Sequence, residues 1–321
     1  MTDPDHALLE LGRWLRARGY RFVTPTPATH HRVHARADSR EGRTVEEVLG
    51  WSRRFRAGRL PEVERWLADA AMLRRDGEWC QSAVRFSTLP GAHARSEPGG
   101  TAFIDDAALI VHSAFPTLDP ASVFFGPDTY RFVAAARREL RPARRLVDIG
   151  AGTGAAGLAM RDRARRVVLA DINPHALRLA RVNGRLADAA PADVELVESD
   201  VLAGVAGELD AVIANPPYLA DREHRTYRDG GGALGIELSQ RIVEQALARL
   251  APGGQLLLYT GSPVIAGDHP LRDALRPVLA RRPCRARWTE LDPDVFGEEL
   301  EASPYDTVDR IAVITLTVDV A

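Results

Sequence analysis

The stretch "LVDIGAGTGAAGLAM", residues 146–160, does most to limit what this chain can become. An apolar run with the character of a buried strand meets a glycine turn, then residues suited to a helix. Gly150, Gly152 and Gly154 allow a tight turn and a close backbone approach to a ligand, which a Cβ would obstruct. The helix that follows turns its amino end, with unpaired N–H groups, toward the same place. A strand, loop and helix in this order form a ligand cradle at the carboxyl end of a sheet strand.

The sequence beyond residue 142 repeats the texture. "RRLVDIG", "RVVLADI", "VELVESD", "LDAVIAN" and "GGQLLLYTG" are short apolar runs that end in turn or acidic residues. Helical stretches, "PHALRLARVNGRLADA" and "SQRIVEQALARLAPGG", lie between them. This alternation predicts an α/β fold with a doubly wound sheet and its ligands at the strands' carboxyl ends. A further helix, "HPLRDALRPVLARR", precedes "RARWTELD" and "RIAVITLTVDV". No crossover helix separates those last two runs, so they predict a C-terminal antiparallel hairpin.

The front of the chain reads as a small α+β domain over residues 1–120, with residues 121–321 forming the sheet domain. Apolar spacing predicts helices over 5–18, 44–61 and 61–77, the last entered at Pro61 and stopped at Gly77. Strand character follows in "CQSAVRFSTLPG" and "TAFIDDAALIVHS", joined by the turn-rich "GAHARSEPGG".

Charge narrows the partners. The 42 basic residues, all arginine, face 44 acids for a net charge of −2, so the molecule as a whole is no polycation for nucleic acid. The imbalance is local: residues 1–100 hold 17 Arg against 13 acids, and residues 284–321 hold 3 Arg against 9 acids. A mildly basic front suits RNA, DNA or an acidic protein, and also an ordinary solvated face. The 2 cysteines, Cys80 and Cys284, make no disulfide framework and lack zinc-ligand spacing. Acidic residues open the chain where a signal peptide needs basic ones, and no apolar run approaches the about 20 residues that span a bilayer. A soluble cytoplasmic protein without a membrane partner is the expectation.

The glycine loop admits two cofactors. Gly152, Gly154 and Gly157 satisfy the dinucleotide pattern G-x-G-x-x-G, which is weak alone. Asp148 argues against it, because a carboxylate beside a pyrophosphate is repelled. Beside the cationic methionine end of S-adenosylmethionine the same carboxylate is attracted. Asp171 ends the next strand, where it can accept from both ribose hydroxyls. Asp200 ends the third, where it can meet the adenine amino group with Val201 against the ring. Singly each acid is a cap or turn residue; at three successive strand ends they point to the methyl donor.

The fourth strand runs into "VIANPPYLAD", residues 212–221. Two prolines fix the backbone, and Asn215 is held extended at the strand's end. "VDIGAGTG", "LADINPHAL", "ESDV" and "IANPPY", in that order, resemble class I S-adenosylmethionine-dependent methyltransferases, a Rossmann-like fold. The Asn-Pro-Pro-Tyr form is typical of those that methylate a nitrogen conjugated to a planar system. The release-factor glutamine methyltransferases are nearest in texture. Their fourth motif is followed by a glycine-rich segment and a helix, as in "DGGGALGIELSQRIVEQAL", and "VFFGPDTYRFV" resembles their lead-in. The resemblance covers roughly residues 122–321. It implies that Asp148, Gly150, Ala151, Gly152, Thr153, Gly154, Asp171, Asp200, Val201 and Asn215 hold the donor. Asn215, Pro216, Pro217 and Tyr218 then hold the acceptor.

The chemistry accounts for the rigidity. An amide or aryl-amine nitrogen is a poor nucleophile because its lone pair is delocalised. The Asn215 oxygen and the Pro216 carbonyl can each accept an N–H, and Tyr218 can stack on the planar group. Catalysis is then positioning plus stabilisation of charge developing on nitrogen, with no general base needed. His224 and His269 are expected at the surface. Gly126 and Tyr130, the segment "HRTYRDGGG" and the acidic loop "DPDVFGEELEASPYDT" depart from the family's pattern in regions that meet the acceptor. The acceptor expected first is a protein glutamine amide in a glycine-flanked loop. An adenine or other base amino group on DNA or RNA is the alternative, then a small-molecule nitrogen or a non-catalytic donor-binding protein.

Overall fold

The computed structural model describes residues 3–36, 41–90, 107–117, 119–221, 227–301 and 303–321. The front of the chain begins with α1 (Pro4–Ala17), whose Asp3 side chain accepts the Asp5 N–H as N-cap. A short α2 (Pro27–His34), which the periodicity did not suggest, follows behind Thr26 as its cap. Helix α3 covers only Val45–Leu49, held by a reciprocal capping box between Thr44 and Glu47. The helix expected over 44–61 therefore breaks after one turn. Gly50 ends it against the Phe22 ring, Ser52 takes φ +58°, and β1 (Phe55–Arg56) begins.

The helix expected over 61–77 is likewise cut short. Helix α4 (Pro61–Asp69) ends where Ala71 takes φ +57°, and β2 (Leu73–Asp76) turns at Gly77, φ +58°, into β3 (Trp79–Ser82). Gly77 is thus a hairpin residue and not a helix stop. Strand β1 pairs with the other edge of β3. The run from residue 80 splits, since β4 (Val84–Pro90) leaves that sheet to pair antiparallel with β5 (Ala107–Ser113). The connection expected over 91–100 and the start of the second run, 101–106, lie outside the described residues.

The second part opens with α5 (Pro127–Glu139) and builds one sheet. Its elements are β6 (Ala143–Ile149), α6 (Ala155–Ala159), β7 (Ala164–Asp171), α7 (Pro174–Leu186), β8 (Val194–Glu198) and β9 (Leu209–Ala214). Next come α8 (Glu237–Arg249), β10 (Leu250–Val264), α9 (Pro270–Leu279), β11 (Cys284–Asp292) and β12 (Arg310–Val320). The strand order is β11-β12-β10-β9-β6-β7-β8. Strands β6 to β10 are parallel, and β12 inserts antiparallel between β10 and β11. The expected α/β fold with a terminal antiparallel hairpin is what forms. Strand order reverses between β6 and β9, so the ends of those two strands open the crevice in which such sheets bind ligands.

Side-chain alternation divides the core. Val212 and Ala214 of β9 enter the layer under α8 and α9, whereas Ala211 and Ile213 enter the layer with α5 and α6. The front of the chain is not separately cored. Leu8, Leu11, Phe55 and Leu67 share one buried cluster with Ala176, Leu179, Val182 and Leu186 of α7. His269, expected at the surface, is buried at the amino end of α9, its Nδ1 3.0 Å from Ser262 Oγ. His224 lies outside the described residues. Among the described residues no helix is long and apolar enough to cross a membrane.

Candidate functional site

The strand ends converge on a cleft of about 850 Å³. Asp148, Gly150, Ala151, Gly152, Thr153, Asp171, Asp200, Val201, Asn215, Pro216, Pro217 and Tyr218 all line it. Gly154 does not. It takes φ +74° as the N-cap of α6, and a Cβ there would lie 2.8 Å from Leu169 Cδ1, so its smallness serves packing. Gly157, the last residue of the dinucleotide pattern, is also a packing glycine, with a Cβ 2.4 Å from Leu169 Cδ2.

The loop's shape is set by the acids around it. Asp148, buried at the end of β6, accepts the Gly157 N–H at 2.8 Å through Oδ2. Burial, with neighbouring Asp171 adding to it, lifts the Asp148 carboxyl to about 7 against the stabilising Gly157 N–H. Asp171 accepts Gly152 N–H at 2.7 Å and Asn173 N–H at 2.8 Å, one on each oxygen. Burial raises its pKa as well, opposed by those backbone donors. Each carboxylate oxygen has a second lone pair, so Asp171 keeps acceptor capacity toward the cleft.

Asp200 is more exposed and pairs through Oδ1 with Arg241. Val201 is buried yet adopts φ +52°, a conformation costly for a β-branched residue. Ser199 holds that turn, its hydroxyl donating to Val201 O at 3.0 Å and accepting Gly204 N–H at 2.9 Å. The acids, the left-handed glycines and the rigid Val201 wall suit a cationic ligand with a ribose and a flat base. No lysine or arginine lies within the glycine loop itself to neutralise a pyrophosphate.

At the end of the fourth parallel strand, Asn215 leaves β9 half-buried, and among the described residues nothing hydrogen-bonds its side-chain amide. Tyr218 is more enclosed than its motif suggested, at 7% exposure. Its ring covers Gly261, where a Cβ would come within 2.2 Å, and meets the edge of Phe296 at 5.9 Å between centroids. Its hydroxyl donates to Asp128 Oδ2 at 2.6 Å, and burial beside that carboxylate pushes the phenol well above its ordinary range.

Several residues of the cleft escaped the sequence reading. Asp128 stood in the quoted "GPDTYRFV" without an assigned part; Tyr259 and Arg131 complete its hydrogen bonding at 3.0 and 3.1 Å. Phe296 and Asp292 come from the acidic loop, whose length was the one available signal. Pro27, His31 and Phe115 bring the front of the chain into the cleft's lining, and nothing local in their sequence announces it.

The chain matches a family model described as "Methyltransferase small domain" over residues 131–278. It is 34% identical over 238 residues to a release factor glutamine methyltransferase of Deinococcus radiodurans, covering 69% of this chain and 76% of that one. A release factor glutamine methyltransferase of Moorella thermoacetica is 37% identical over 175 residues, 48% of this chain and 61% of that one. A putative protein N5-glutamine methyltransferase of Methanocaldococcus jannaschii is 29% identical over 140 residues, 41% and 68% of the respective chains. With the crevice at the β6–β9 reversal, this likeness shows that the chain is a class I S-adenosylmethionine-dependent methyltransferase and belongs to the release factor glutamine methyltransferase family.

Proposed function

We propose that this enzyme methylates the side-chain amide nitrogen of a glutamine in a protein, set in a glycine-flanked loop that can enter the cleft. The observation that carries the reading is Asn215. Its half-buried amide ends β9 at the β6–β9 reversal with its hydrogen bonds uncommitted among the described residues. The names of the relatives, which specify glutamine, support the same acceptor.

In this reading Asp148, the loop Gly150–Gly154, Asp171, Asp200 and Val201 hold the donor. Asp148 faces its cationic end, Asp171 the ribose, and Asp200 with Val201 the base. When bound, S-adenosylmethionine supplies a methyl group on a sulfonium, which leaves as a neutral thioether while the nitrogen–carbon bond forms. Asn215 Oδ1 and the Pro216 carbonyl each accept one N–H of the glutamine amide. Held that way, the nitrogen can turn its lone pair out of conjugation, and the two acceptors favour the positive charge that develops on it. The extra proton departs to solvent afterwards. Pro217 stiffens the turn and Tyr218 walls the amide's plane.

Residues 1–120 serve as the acceptor-recognition module and residues 121–321 as the methyl-transfer domain. Pro27, His31 and Phe115 in the cleft's lining support that division of labour. A release factor as acceptor, which the relatives' names specify, supports a cytoplasmic location.

The test is transfer of labelled methyl into lysate from cells lacking this chain, with wild type and Asn215→Ala. The reading expects Asn215-dependent label that protease removes and mass spectrometry places on a glutamine side chain. Label released by nuclease, or found in small molecules, overturns it.

A further inference from the structure

Asn183 lies on α7, outside the cleft, with none of its surface exposed. Its carboxamide nonetheless uses both N–H donors and its oxygen. Oδ1 accepts the Val111 N–H at 2.8 Å, and Nδ2 donates to Val111 O at 3.0 Å and to Thr153 O at 2.9 Å. Val111 faces Phe86 across the β4–β5 pair, and this amide occupies the polar groups Val111 presents on its outer side. One side chain thereby supplies the donor and acceptor of a missing third strand and spends its remaining hydrogen on the glycine loop.

The two ends of this bridge both reach the cleft. Thr153 is a loop residue that lines it, and two residues beyond the strand that holds Val111 the chain reaches Phe115, which lines it too. A second tie joins the same two regions. Ser113 N–H donates to Val123 O at 3.1 Å and Ser113 Oγ accepts Val123 N–H at 2.8 Å, and Val123 lies beside Gly152. A buried carbonyl without its donor is costly, so the Thr153 peptide has one favourable orientation while Asn183 is in place.

We propose that Asn183 is a positioning residue: it sets the glycine loop for the methyl donor and makes that setting depend on the β4–β5 pair. The proposal rests on the reading that this loop holds the donor. It treats the front of the chain as part of the donor site's scaffold as well as an acceptor wall. By reciprocity, a donor that tightens the loop tightens the Val111 hydrogen bonds.

The experiment titrates S-adenosylmethionine into the full chain, as wild type, Asn183→Asp, Val63→Ala and Asp171→Ala, below the onset of melting. Asn183→Asp keeps the shape and the acceptor for Val111 N–H but sets an oxygen against two carbonyls. Val63, buried on α4 in the core that includes β5, reports loss of stability without touching the loop. Expected is donor binding weakened about tenfold or more for Asn183→Asp, against a change within about twofold for Val63→Ala. Asn183→Asp binding within about twofold of wild type, or weakening no more than Val63→Ala does, overturns the proposal. Asp171→Ala separates the two levels: if it too binds normally, the donor-site reading itself is wrong. Should Asn183→Asp not fold, hydrogen exchange on the wild-type chain decides. Slower exchange of the Val111 amide when donor is added supports the bridge, and unchanged exchange overturns it.

Discussion

Tyr218 donates its hydroxyl hydrogen to Asp128 across 2.6 Å, joining the Asn-Pro-Pro-Tyr turn to the first turn of α5, 90 residues earlier. Asp128 also accepts from Tyr259 and Arg131, and Arg131 continues to Asp292 of the acidic loop at 3.2 Å. The turn that carries Asn215 is therefore braced from the helix before the sheet and the loop at its end.

Removing the Tyr218 hydroxyl should cost more than its size suggests. A hydrogen bond to a charged acceptor contributes about 1.5–3 kcal/mol, so Tyr218→Phe should destabilise by roughly that much. Combined with Asp128→Asn, the two losses should fall short of their sum by about 1 kcal/mol in denaturant unfolding. Strict additivity would mean that the bond does not contribute.

Asn215→Ala should lower kcat by about 100-fold or more, the scale seen when one preorganised polar group is lost. Donor affinity should change far less. Single-turnover methyl transfer and calorimetry would separate the two. A parallel collapse of donor binding would show Asn215 to be chiefly a donor residue.

The turn around Val201 offers a test of stored strain. Ser199→Ala removes a hydroxyl that bonds both Val201 O and Gly204 N–H. Stability should fall by about 1–2 kcal/mol, and donor affinity should fall several-fold as the Val201 wall relaxes. Unchanged affinity would count against Val201 as part of the donor site.

The Asp148 carboxyl predicts a pH dependence of two opposite kinds. Its folded pKa of about 7 stands above the ordinary 3.8, so the folded chain holds a proton there that the unfolded chain has lost. Its stability contribution is full below 3.8 and is lost as pH rises through about 7. A cationic donor favours the ionised form, so donor affinity should instead rise with pH up to about 7 and then level off. Asp148→Asn should flatten both profiles in unfolding and binding titrations; a retained affinity slope would assign it to another group.

His30 should weaken the front segment in acid, as should His34 and His112, whose pKa values burial also lowers. The His30 ring is buried against Phe115 at 4.0 Å, and among the described residues neither nitrogen has a hydrogen-bond partner. Burial, with Arg85 next, lowers its pKa to about 3 from 6.5, so its stability contribution is full above 6.5 and is lost as pH falls toward 3. His30→Phe keeps the ring stack and should raise the melting temperature more at pH 5 than at pH 8. An equal change at both would show that His30 protonation does not govern the acid limb.

Much of the sheet domain was readable along the chain because its determinants are local. An apolar run, a glycine turn and an acid at a strand end lie within a few residues of each other, as Asp148 and Gly150 do. Parallel strands place their ends together whatever lies between them, so Asp171 and Asp200 could be assigned to one crevice from their strand ends, and the resemblance added the part of Asn215. The front segment resisted the same treatment. Its helical periodicity over 44–61 and 61–77 was overridden where Ser52 and Ala71 turn left-handed and β1 and β2 pair with β3. Asp128 beneath Tyr218 and Asn183 between Val111 and Thr153 left no mark in the sequence, for a related reason. Each satisfies a buried polar group 30 to 90 residues away, and such partners meet only after the hydrophobic layers have packed. Periodicity and spacing report which face of an element is buried; the polar atom waiting on the other side of that face is a property of the folded chain.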